Sequence, residues 1–125
     1  MNRFYIFFSS IVLFATLEGK QPNFILFITD DISWDDLGCY GSKVAKTPHL
    51  DQMANEGMLF HGAYLSISSC SPSRCSIISG RYPHNTGAAE LHTELPADQP
   101  VFPEALQVAG YYTAISGKHH MGKAV

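Results

Sequence analysis

Asn23-Phe24-Ile25-Leu26-Phe27-Ile28-Thr29, broken off at Asp30-Asp31, is a continuous apolar run rich in β-branched and aromatic side chains. Such a run suits a strand buried on both faces of a mostly parallel sheet, because a half-exposed strand would alternate apolar and polar positions. Met58 to Ser66 (MLFHGAYLS) reads as a second strand and Tyr111 to Ser116 (YYTAIS) as a third. Helical signals lie between them. Thr47-Pro48 supplies an N-cap and a first-turn proline, and Leu50, Met53, Ala54 and Gly57 fall at helical spacing, so a helix is expected over about 47–57. Ser71 caps and Pro72 opens a short helix that Gly80 ends, and another runs from Pro103 to Ala109 with Gly110 behind it. Arg81 to Pro100 is polar and turn-rich, which predicts a long surface loop. Strands alternating with helices in this way predict right-handed β-α-β units and an α/β sandwich.

Composition narrows the function classes. With 125 residues, 46% hydrophobic and 15% charged, the chain suffices for one small domain at most. A net charge of -3 offers no basic field for nucleic acid. The first residues differ from the rest: Arg3 precedes an apolar run from Phe4 to Leu17, and a polar stretch follows at Glu18 to Pro22. This run is too short for a comfortable membrane span and suits a secretory signal peptide over residues 1–19. Export is therefore expected, with no stable membrane span after signal cleavage. Three cysteines is an odd number, which argues against a disulfide scaffold. Cys39 and Cys75 read as small buried hydrophobes, with a bridge between them left open.

Two of the predicted strands, 24–29 and 111–116, deliver polar side chains at their carboxyl ends, where open α/β sheets bind ligands. After the first come Asp30 and Asp31, adjacent carboxylates that repel unless a cation neutralises them; oxygen ligands of this kind suit calcium or magnesium. Asp35-Asp36 is a similar pair read as surface. After the third comes Gly117-Lys118-His119-His120-Met121-Gly122. Lys118 there offers a point charge for an anionic oxygen, and His120 can share in proton transfer. A phosphate loop would need Gly at 112 and Ser or Thr at 119, where this chain has Tyr112 and His119. His49, His61, His84 and His92 have no metal-ligand spacing with the cysteines, and Trp34 and Tyr40 read as packing residues of the first loop.

The third element is Cys70-Ser71-Pro72-Ser73-Arg74, followed by Gly80-Arg81. Cys70 is expected at a helix mouth, where free N–H groups and the positive dipole end favour an anion, with Arg74 one turn on and on the same face. A nucleophile and an anion clamp would then share one helical turn.

These three elements, in the chain order Asp30-Asp31, Cys70 to Arg74 and Gly117 to Gly122 and about forty residues apart, resemble the N-terminal part of the sulfatase family within the alkaline-phosphatase-like superfold. The resemblance implies an α/β sandwich with a mostly parallel central sheet, of which only the N-terminal portion, residues 23–125, is present. It implies that a formylglycine-generating or anaerobic maturation enzyme oxidises Cys70 to formylglycine. Asp30 and Asp31 match two calcium ligands, with Cys70 itself close to the metal. Arg74, Lys118 and His120 match residues that stabilise and protonate the transferring group. The implied reaction is attack on sulfur by one hydroxyl of the hydrated aldehyde, release of the alcohol, and expulsion of sulfate by the second hydroxyl. His119 stands where the family commonly has Trp, and Ser79 where Thr is usual. With the loop Gly87 to His92, this looks more like the N-sulfoglucosamine sulfohydrolase (sulfamidase) type and makes His92 a substrate contact. The substrate implied is a sulfated glycan, O-linked or N-linked. The setting implied is periplasmic, extracellular or lysosomal. A phosphonate or phosphodiester hydrolase of the same superfold and a non-catalytic remnant that binds anionic glycans are the alternatives. Family members are several times longer and keep further metal ligands, a His and a Lys in the remainder, so a fragment neither active nor well folded by itself is expected.

Overall fold

The computed structural model describes residues 20–122. Three helices organise it: α1 (Pro48–Glu56), α2 (Cys70–Ser79) and α3 (Phe102–Val108), with 3-10 turns at Trp34–Asp36, Gly38–Tyr40 and Pro83–Asn85. The expected leader over residues 1–19 lies outside the described residues. Among those described, no helix is long and apolar enough to cross a membrane.

All three expected helices form, within two residues of their predicted limits. In α1, Thr47 precedes Pro48 as read. Its hydroxyl, however, accepts from the Gly38 amide at 2.8 Å and donates to Asp51 at 2.9 Å, so it ties the helix to the preceding turn. The helix α2 starts earlier than the Ser-Pro signal suggests. Ser69 is its N-cap, Cys70 its first residue, and the Ser73 amide closes the first turn on the Ser69 carbonyl at 3.0 Å. Pro72 therefore sits third, still among the first four positions whose amides have no helical acceptor, and its missing N–H costs nothing. Gly80 ends the helix at φ 66°, a left-handed conformation open to glycine without strain.

No strand occurs among the described residues. The strands expected at 24–29, 58–66 and 111–116 are not formed there, so the sheet of the predicted sandwich is not seen among the described residues. The first and third segments do lie together: the Phe24 and Tyr111 rings are 5.5 Å apart. Phe24, Leu26, Ile28 and Asp30 line one cavity of about 730 Å³ together with Tyr111 to His119. From Phe24 to Asp30 every second residue faces that cavity, the spacing of an extended chain. What is lacking is a ladder. A strand satisfies its backbone groups only through a neighbour in register, and a strand apolar on both faces needs layers on both sides. Here Ile25 is 77% and Phe27 80% exposed.

The core sits elsewhere than the sequence suggests. It is formed by Cys75 and Ile78 of α2, Ala88, Leu95 and Met121, with Val101 packed against it. Two of these, and the buried Thr86 and Pro83, come from the stretch 81–100 expected as surface loop. The stretch can enter the core because its polar groups are satisfied locally. The Thr86 hydroxyl donates to the Pro83 carbonyl at 2.8 Å and accepts the Ala88 amide at 3.1 Å, while the Leu95 amide donates to the Met121 carbonyl at 2.9 Å. Enclosing Leu95 in this way contributes about 2 kcal/mol.

Candidate active site

The α2 helix is buried along most of its length: Ser71, Pro72, Ser73, Arg74, Cys75 and Ile78 are all inside. Arg74, 7% exposed, is the member that needs a partner, because a buried guanidinium without one is costly. It has two. Nη2 donates to Asp30 Oδ1 at 3.0 Å, and Nη1 donates to the Lys118 carbonyl at 2.8 Å. Lys118 in turn places its ammonium on the other carboxylate oxygen of Asp30. One carboxylate, one guanidinium and one ammonium thus link the end of the first apolar segment, the cysteine helix and the Gly-Lys segment after Ser116. The three pieces expected to share a site are brought together by side chains rather than by a sheet.

The charges reinforce one another. Hydrogen bonds from Lys118 and then Arg74 hold the Asp30 carboxyl below the ordinary aspartate value of 3.8. The hydrogen bond to Asp30 holds the Lys118 ammonium above its ordinary 10.5, with smaller Coulombic help from Asp30 and from Cys70. Cys70, half-buried with a free thiol, opens α2. Arg74 stands one turn along from it, as expected.

The His92 and His120 rings meet at the side of this cluster. His92 Nδ1 is 2.9 Å from His120 Nε2 and the ring centroids are 4.9 Å apart. Burial first, then the nearby Lys118, His92 and Arg74 charges, hold the His120 imidazole below its ordinary 6.5. Among the described residues, the non-glycine positions in left-handed backbone are Asp31 (φ 55°), His92 (φ 64°) and His120 (φ 53°). Each such conformation costs about 1–3 kcal/mol and persists only where the surroundings impose it. All three were singled out from the sequence for their chemistry, not for their backbone.

Cys39 and Cys75 are both free, so the bridge left open between them is not made. Burial pushes the Cys75 thiol up, as suits a small core residue. Trp34 packs edge-on against Tyr40 within the first loop, as read, although its ring stays 69% exposed. The residues that hold the His92 and His120 loops together, Leu95 and Met121, were not singled out. No periodic signal marks them, because they come from irregular backbone.

Calcium does not find a complete site here. Asp30 and Asp31 supply two carboxylates, against the six to eight oxygens the ion takes, and both oxygens of Asp30 already face cations. No group of three or more His, Cys, Asp or Glu side chains suited to a metal occurs among the described residues.

Comparison with known proteins completes the description. A family model described as Sulfatase matches residues 22–124. The chain is 39% identical over 104 residues to an N-acetylglucosamine-6-O-sulfatase of Bacteroides thetaiotaomicron, covering 83% of this chain and 19% of that protein. It is 38% identical over 127 residues to the N-acetylgalactosamine-6-sulfatase of Rattus norvegicus (91% and 24%) and 39% identical over 110 residues to human arylsulfatase G (84% and 21%). The chain spans about a fifth to a quarter of the length of these relatives. No solved structure matches it at a significant level. With the Sulfatase model matching nearly all of the chain beyond its first apolar run, this protein belongs to the sulfatase family.

Proposed function

We propose that the protein hydrolyses sulfuric esters on sulfated carbohydrates, with 6-sulfated N-acetylhexosamines as the first class to test and an N-sulfated sugar as the second. The observation that carries this reading is the Asp30, Arg74 and Lys118 cluster, joined through Arg74 to the helix that Cys70 opens. Oxidised to formylglycine by a maturation enzyme and hydrated, Cys70 supplies the attacking hydroxyl. A guanidinium has five N–H donors and an ammonium three. Arg74 uses one on Asp30 and one on the Lys118 carbonyl, and Lys118 uses one on Asp30, so both keep donors for the oxygens of a sulfate. Donors fixed in advance around developing negative charge are the largest single contribution in many active sites. His120 handles the proton, and His92, exposed at the edge of the cluster, contacts substrate. A calcium ion belongs to this reading only with oxygens from outside the described residues joining Asp30, Asp31 and the residue made from Cys70.

The fold implied is the alkaline-phosphatase-like α/β sandwich, with residues 23–125 as an N-terminal part and residues 1–19 as the export signal. Support for the sheet lies in the extended apolar segments at 24–29 and 111–116, which lie against each other but lack a ladder and covering layers. Export places the protein in the periplasm, a lysosome or the extracellular space.

The test uses the full-length protein co-expressed with a formylglycine-generating enzyme, assayed on 6-O-sulfated and N-sulfated amino sugars and on phosphonate esters. Sulfate release that disappears in Cys70→Ala, with an aldehyde at position 70 by mass spectrometry, is the expected result. Turnover of phosphonates alone would replace the substrate class. An unmodified Cys70 thiol with glycan binding and no turnover would leave a binding protein instead.

A further inference from the structure

The histidine pair has a second role open to it, because one of its atoms is left over. His120 Nε2 meets His92 Nδ1 at 2.9 Å. The remaining nitrogen of His120, Nδ1, is buried and has no hydrogen-bond partner. A hydrogen bond between two imidazole nitrogens needs one N–H and one lone pair. Two arrangements satisfy it. If His92 Nδ1–H donates, a neutral His120 must carry its proton on Nδ1, and a buried N–H is left with no acceptor. If His120 Nε2–H donates, Nδ1 of His120 is a lone pair, and only an acceptor is left over. Orphaned buried N–H groups are the rarer of the two in folded proteins.

We propose that His92 is a positioning residue: its Nδ1 accepts Nε2–H of His120, which fixes the ring of His120 and leaves its Nδ1 unprotonated as the proton acceptor of the site. The assignment goes beyond a substrate contact at His92, and only its kinetic part rests on the sulfatase reading above. Nearby charge agrees with it. Lys118 and Arg74 lie close enough to disfavour a second proton on His120, with Asp30 opposing them weakly. The backbone agrees as well. Both histidines are in left-handed conformations, and their loops are joined by the Leu95 amide to Met121 carbonyl bond, three residues beyond His92 and one beyond His120. Two strained positions are thus held so that two particular nitrogens meet. In metal-ligating histidines a partner that orients the second ring nitrogen is worth about 10- to 100-fold in affinity or activity, and an imidazole that orients His120 is expected to act on the same scale.

The experiment has two arms on the full-length protein. In the first, histidine is labelled with 15N and the ring nitrogens of His120 are read by NMR. A protonated Nε2 and a bare Nδ1 are expected, giving way to mixed forms in His92→Phe and returning in His92→Asn, whose amide oxygen can occupy the place of Nδ1. A proton on His120 Nδ1 overturns the proposal. In the second arm, kcat and KM are measured on a 6-sulfated amino sugar. His92→Phe is expected to lower kcat about 10- to 100-fold with little change in KM, and His92→Asn to recover most of it. A raised KM at unchanged kcat would leave His92 a substrate contact and sink the positioning role. Should His92→Phe fail to fold, the wild-type spectrum and His92→Asn still decide. Absence of sulfatase turnover in the wild type counts against the proposed function, while the NMR arm decides this inference independently.

Discussion

At the residue scale the centre of this protein is a carboxylate between two cations. Asp30 is the group on which the cysteine helix and the Gly-Lys segment converge, and its ionisation sets the pH window of that link. Its folded value lies below 3.8, so its contribution to stability is fully present above 3.8 and is lost as pH falls through the lower folded value. Lys118, raised above 10.5, contributes below that value and loses its share as pH rises through the folded one. In calcium-free buffer, acid unfolding of the full-length protein should therefore steepen below pH 3.8, and Asp30→Asn should flatten that limb. An unchanged acid limb in Asp30→Asn would show that the cluster adds nothing to stability. The residues themselves were legible in the sequence, since carboxylates after an apolar run, an Arg one turn from a Cys and a Lys-x-His are chemical signals. Their pairing was not legible. Arg74 and Lys118 read as clamps for a sulfate, and both also grip Asp30; for Arg74 the reason is that a buried guanidinium must find an anion inside the chain.

At the scale of elements, prediction succeeded where the signal was local. Thr47-Pro48 and the glycines at 57, 80 and 110 mark helix ends by backbone chemistry that acts within a few residues, so the helices fell within two residues of their expected limits. It failed for the stretch 81–100, whose polar composition masks a core contribution from Pro83, Thr86, Ala88 and Leu95. That contribution depends on docking against residues 118–122, which composition does not report. The docking has a tight point. Gly122 lies at φ 94°, and a Cβ there would come within 2.6 Å of the Glu94 Cβ and 3.0 Å of its Cα. Gly122→Ala should therefore destabilise by about 1–3 kcal/mol and weaken the His92 to His120 contact two residues away. Thermal unfolding of the full-length variant checks the first part, and the His120 ring signals check the second. A variant with wild-type stability and an unchanged histidine pair would mean that the two loops are not held at this point.

At the scale of the whole molecule, exposed apolar surface dominates. Phe24, Ile25, Leu26 and Phe27 are 60–80% exposed, Tyr64 is 92% and Tyr112 93% exposed, and the described core numbers few side chains. Contiguous apolar surface of this kind seeks cover. A protein made of residues 20–122 should therefore bind a hydrophobic dye and self-associate, as seen by light scattering. A monodisperse, dye-silent monomer that releases sulfate would overturn both this expectation and the fragment reading behind it. The sequence by itself determined the family and the helix boundaries, and named the residues that the structure gathers around Asp30, because each is written in residue types at short range. The tertiary structure decided which charge meets which, that a polar loop supplies the core, and that His92 faces His120. Those outcomes depend on contacts between residues tens of positions apart, and burial rather than local spacing chooses among them.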